Sequence, residues 1–120
     1  MKLSNTDEKT LIALGVQVSR MLFLREYSHL ASQFGYALCH GRPPAEAIES
    51  DYERAMASPF ETGNQQPVTV KYFKPNSTGL YAAIECLVPV TSSTEVLLSL
   101  VVTGSDDKHL TIEDISGVEN

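Results

Sequence analysis

His29, Gln33, Tyr36 and His40 recur at the i, i+4, i+7 and i+11 spacing that lines one face of a helix. On a continuous helix the two imidazoles stand roughly 16 Å apart by rise alone, too far to share a metal ion or a proton. One of them could serve as a general base only if folding set a carboxylate such as Asp51 or Asp114 beside it. Without that carboxylate the stripe is a solvated face. His109 follows two aspartates in a turn and reads as an exposed imidazole. Cys39 and Cys86 stand alone, with no CxxC pair, and are expected to be reduced, small buried hydrophobes. Serine nucleophile elbows, phosphate-cradling glycine loops and HExxH helices are missing from the sequence. No catalytic residue, cofactor or metal ligand is assigned, and the expectation is a chain that is not an enzyme.

Charge is the more informative chemistry. Fifteen Asp and Glu against nine Lys and Arg give a net charge of −6, the wrong sign for gripping phosphates, so a nucleic-acid partner is not expected. Ten of the fifteen acids sit in two segments. The first holds Glu46, Glu49, Asp51, Glu53 and Glu61; the second holds Asp106, Asp107, Glu113, Asp114 and Glu119. At 100° per residue Glu46, Glu49 and Glu53 fall within about 60° of one another, an acidic ridge on the flank of a buried helical stripe. Such a ridge is either a solvated face or a docking surface for a basic partner, where acid raises the association rate and supplies paired charges. Asp106, Asp107, Glu113 and Asp114 form the rival surface.

These residues need elements to hold them. Asn5 with Glu8 three residues on matches a capping box and predicts the start of a first helix. Leu11, Leu14, Val18, Met21 and Leu22 make its stripe, and Ile12, Val16 and Phe23 widen that stripe past half the circumference, so the helix should be covered on two sides. From Glu26 to His40 a second stripe of Tyr27, Leu30, Ala31, Phe34 and Leu38 predicts another helix. No Gly or Pro marks a joint at 24–27, so residues 6–41 fit one bent helix or two. Gly41 and Pro43-Pro44 then open a third helix from about Pro44 to Ala57, buried through Ala45, Ile48, Tyr52, Ala55 and Met56 and stopped by Pro59.

Beyond residue 66 the period changes from 3.6 to 2. Strands are predicted at Val68 to Lys74, Leu80 to Val88, Glu95 to Thr103 and Leu110 to Ile115, joined by short turns at Pro75–Gly79, Thr91–Ser93 and Gly104–Asp107. The Asn76-Ser77-Thr78 sequon reads as part of the first turn. Leu80, Ala82, Ile84, Cys86 and Val88 should face inward, with Tyr81, Leu87 and Leu97 facing out beside Val101, where a second copy could pair through the sheet. Short connections imply an antiparallel meander. The expectation is one α+β domain over 1–120, with two or three helices at about 6–58 packed on a four-stranded meander at about 67–118.

A chain of 120 residues with 42% hydrophobic residues can bury a core of its own. Its longest apolar run, Val96 to Val102 with Ser99 inside, is far short of the roughly 20 residues that span a bilayer. The start, MKLSNTDEKT, shows no apolar signal region, so a cytoplasmic location and no membrane partner are expected.

Helices followed by a meander ending in Leu110-Thr111-Ile112-Glu113-Asp114-Ile115 resemble the NTF2-like organisation and the small bacterial immunity proteins of polymorphic toxin and contact-dependent inhibition systems. Element order and that last strand carry the likeness, which covers most of the chain. It implies a small acidic binding protein that neutralises a cognate basic, nuclease-type toxin by direct contact. NTF2-like enzymes usually carry an Asp with His or Tyr inside the cone, a pair this sequence does not place. A small-molecule pocket between sheet and helices, enzymatic or not, is the alternative. A structural or dimerisation module is the second.

Overall fold

The computed structural model describes residues 1–118. Glu119, counted above among the acids, lies outside them. In chain order the elements are β1 (Lys2–Leu3), α1 (Glu8–Phe23), α2 (Tyr27–Phe34), α3 (Pro44–Ala57), β2 (Phe60–Glu61), β3 (Val68–Tyr72), β4 (Leu80–Pro89), β5 (Thr94–Thr103) and β6 (Lys108–Ser116). The class is α+β, with three helices against an antiparallel sheet.

Asp7, not Asn5, caps α1: the Thr10 N–H donates to its carboxylate at 2.8 Å, while Asn5 accepts from the Asp7 N–H at 3.0 Å in the turn before. α1 buries Leu11, Gly15, Val18 and Leu22. Gly15 lets the helix approach the sheet closely, since a Cβ there would meet Val68 Cγ1 at 2.7 Å and Ile84 Cγ2 at 3.1 Å. The expected two-sided cover is absent: Val16 is 54% and Phe23 52% exposed. α1 packs on β3, β4 and α2, and Val16 and Phe23 lie on the side that these leave open.

The first two helices are separate. Arg25 takes the left-handed region at φ 60°, and its N–H donates to the Leu22 carbonyl while that of Glu26 donates to Met21. Sequence does not flag this joint because a non-glycine residue makes it. α2 ends at Gly35 (φ 74°), not at His40. Tyr36 instead bridges to Ile112 at the sheet edge, with the Ala37 N–H donating to the Ile112 carbonyl at 2.9 Å. The face proposed for His29, Gln33, Tyr36 and His40 therefore does not form.

Among the described residues the sheet has six strands rather than four, in the order β1-β6-β5-β4-β3, with β2 paired to the start of β5. β1 and β2 are two residues each and carry no periodicity; they exist because β6 and β5 offer open edges, as in the pairs Lys2 with His109 and Phe60 with Glu95. Two register shifts re-aim side chains. The one between Leu80 and Ala82 sets Leu80 opposite Thr103 and turns Tyr81 towards the start of α1, where Thr6 Oγ1 donates to its hydroxyl at 3.3 Å and the Lys108 ammonium lies 4.8 Å from its ring centroid. Tyr81 thus leaves the outer face assigned to it, and Leu80 leaves the inward set. The other shift, between Ser99 and Leu100, makes Glu113 an extra residue, so Ile112 and Ile115 both reach the core.

Ala82, Ile84, Cys86 and Val88 face inward as expected, opposite Val96, Leu98, Leu100 and Val102. Both cysteines are free, Cys86 buried and Cys39 half-buried. Among the described residues no helix is long and apolar enough to cross a membrane. Ile84 is fully buried beneath α1, so Ile84→Ala should cost about 2–5 kcal/mol in chemical denaturation. A cost near zero would mean that this face of β4 does not carry the core.

Candidate partner-binding surface

Pro44 starts α3, where its missing N–H costs nothing, and Pro59 stops it by restricting Ser58. The expected bounds, Pro44 to Ala57, are the observed ones. The buried face is rotated from the expected one: Ala47, Ile48, Asp51, Tyr52 and Ala55 are buried, whereas Ala45 and Met56 are only half-buried. At 100° per residue this rotation puts Glu46, Glu49 and Glu53 on the side opposite the core and not on its flank. All three are exposed. The ion pairs of the described residues are Lys2 with Asp107, His29 with Glu26 and Arg42 with Asp51; the ridge takes part in none. Glu46 lies in the first turn, where the amino-terminal dipole favours a carboxylate.

Beneath the ridge α3 is pinned through Asp51, which is 7% exposed. Arg42 donates to both carboxylate oxygens, at 2.9 Å to Oδ1 and 3.2 Å to Oδ2, and Tyr36 donates to Oδ2 at 2.5 Å. The same guanidinium donates to the Leu38 and Cys39 carbonyls, each at 2.7 Å. Burial, the largest single influence on Asp51, pushes its pKa up, but the hydrogen bonds and charge of Arg42 with the Tyr36 hydroxyl outweigh it and hold the carboxyl below its ordinary value. Burial first, then the Asp51 carboxylate, drives the Tyr36 pKa well above its usual range. Tyr36 therefore stays protonated and donating. The segment after α2, the edge of β6 and α3 are joined in one network.

The structure brings together an Asp and a Tyr, a pair the sequence did not place, but Arg42 holds both oxygens of the Asp51 carboxylate and no histidine meets it, so the His–carboxylate base considered for Asp51 does not form. Asp114 is half-buried opposite Ser99 and near enough to act on Tyr36 through its charge. His29 and His40 are exposed, and the contact of His29 is with Glu26 at 3.9 Å. Among the described residues no group of three or more His, Cys, Asp or Glu could hold a metal ion.

The rival acidic surface is split. Asp106 and Asp107 occupy the β5–β6 turn, with Asp107 3.6 Å from the Lys2 ammonium. Glu113 and Asp114 sit at the bulge, roughly 20 Å away along the strand by its rise per residue. The interior between sheet and helices is filled by Leu11, Leu22, Leu30, Ile48, Leu98 and Leu100, each 0–1% exposed, and the depression between α1 and β3 lies at the sheet edge. Five depressions on the described surface take no lining residue from α2 or α3.

No family model matches the chain, and no curated protein and no solved structure matches it. What defines it is its own geometry: an α+β sheet protein with an anchored, outward-facing acidic helix. The ridge was legible as a spacing of like charges. Asp51 was hidden among them, although its place between Ile48 and Tyr52 and four residues before Ala55 sets an acid inside the apolar stripe. An acid there calls for a paired cation, which the half-exposed Arg42 supplies.

Proposed function

We propose that this chain is a binding protein of the immunity type, acting in the cytoplasm, which neutralises a cognate basic, nuclease-type toxin by direct contact through the acidic face of α3. One observation carries the reading: Glu46, Glu49 and Glu53 are exposed and free of ion pairs among the described residues, on a helix fastened from behind by the Asp51 network. A pre-fixed row of carboxylates loses little freedom when it meets arginines or lysines, and its field raises the encounter rate. The net charge of −6 adds to that field. A small-molecule NTF2-like pocket draws less support, because core side chains fill the space such a pocket would use.

The neighbouring reading frame supplies the test. Its product, expressed alone, should arrest growth, and co-expression of this chain should restore it and yield a stable complex by size-exclusion chromatography. A neighbouring product that is harmless, or toxic but neither bound nor countered by this chain, contradicts the proposal.

A further inference from the structure

The open edge of the sheet is β3. At the other edge β6 is covered by β1 and by the bridge from Tyr36, whereas among the described residues β3 pairs with β4 alone. The Leu87 N–H donates to the Pro67 carbonyl and the Phe73 N–H to that of Tyr81. In an antiparallel ladder hydrogen-bonded pairs alternate, so Thr69 and Lys71 point their N–H and C=O groups at β4, while Val68, Val70 and Tyr72 point theirs away from the sheet. Beside this row runs a groove of about 490 Å³ between α1 and β3, walled by Ile12, Val16, Val68 and Val70. Val16, 54% exposed, belongs to the half of α1 that the fold leaves uncovered.

We infer that two copies of this chain join edge to edge through β3, continuing the sheet across a two-fold axis at Val70. The outward groups are self-complementary about that point: Val70 meets Val70 of the second copy and Val68 meets Tyr72, each pair exchanging both of its N–H···O bonds. On the helix side the facing pairs are then apolar. On the other side Lys71 faces Thr69 of the second copy, so the two lysines are never opposed. The next strand there carries Glu85, paired in register with Thr69, about two strand spacings or roughly 10 Å from Lys71, within reach of a lysine side chain. Charge complementarity therefore favours the same register as the backbone. α1 packs over β3 and β4, so the two-fold would set the two α1 helices side by side, roughly 10–14 Å apart by strand spacing, with Ile12 and Val16 between them. This surface lies on a different element from α3 and is independent of the toxin-binding reading.

Sedimentation velocity over a rising concentration series should show a monomer passing to a dimer. Amide exchange by NMR should slow with concentration at Val68, Val70 and Tyr72, leaving Thr69 and Lys71 unchanged. Val70→Pro deletes an outward N–H that β4 does not use, at an edge position where proline is tolerated, and Val16→Lys places charge at the axis. Each should weaken self-association about tenfold or more. Val16 is exposed, so its variant keeps the fold and carries the test alone if Val70→Pro unfolds. A monomer at every concentration, the result expected if the edge serves another protein's strand, overturns the inference, as does a dimer whose Val68 and Val70 amides exchange as in the monomer, the result expected if the copies met face to face.

Discussion

Replacing Asp51 by alanine should destabilise the protein by about 2–4 kcal/mol, below the cost of breaking a fully buried pair because the Arg42 side chain still reaches solvent. The change leaves the Tyr36 hydroxyl, on a residue 6% exposed, without its acceptor and Arg42 without its anion. For a domain of this size the melting temperature should fall by roughly 10 °C. Asp51→Asn retains an acceptor for Tyr36 and should cost less. The sign of the pH dependence follows from the lowered pKa of Asp51: its contribution is fully present above the ordinary value of 3.8 and is lost as pH falls through the lower folded value. Urea denaturation of wild type and Asp51→Ala at pH 7 and in acid should therefore show a gap that narrows as the carboxyl protonates. A gap unchanged by acid, or absent at pH 7, would mean that the network does not fasten α3.

Much of this fold was readable from local pattern. Pro43-Pro44 and Pro59 bracket α3, and alternation from Val68 to Ile115 marks the strands, because each signal is carried by neighbours in sequence. What escaped was set by distant partners. The stripe of Tyr27, Leu30, Phe34 and Leu38 continues past Gly35 in period, yet Gly35 turns out of the helix and Tyr36 is captured by Ile112 and Asp51. β1 and β2 are too short to have a period and are created by the strands they pair with. The bulges at Tyr81 and Glu113 change which face a residue occupies without altering composition. At the candidate site the three glutamates were visible as a group, but their distance from the core depended on Asp51 being inside the fold, and that depended on Arg42 and Tyr36.

Reversing the ridge in one variant, Glu46→Lys, Glu49→Lys and Glu53→Lys, should lower the association rate with the proposed cognate toxin by about 10- to 1000-fold at low salt. All three side chains face away from the core, so circular dichroism and the melting temperature should change little. Exposed charges are screened beyond roughly 8 Å at 0.15 M ionic strength, so the difference from wild type must shrink as salt rises. Reversal of Asp106, Asp107, Glu113 and Asp114 is the matched control, four charges on a surface that the strand divides into two distant pairs. Stopped-flow association of wild type and both variants, over a salt series and against the neighbouring frame's product as the proposed toxin, is the most direct measurement. The α3 variant should associate far more slowly at low salt, converge on wild type at high salt, and fail to protect cells, while the control stays near wild type. Wild-type rates and full protection from the α3 variant would contradict the acidic-helix interface.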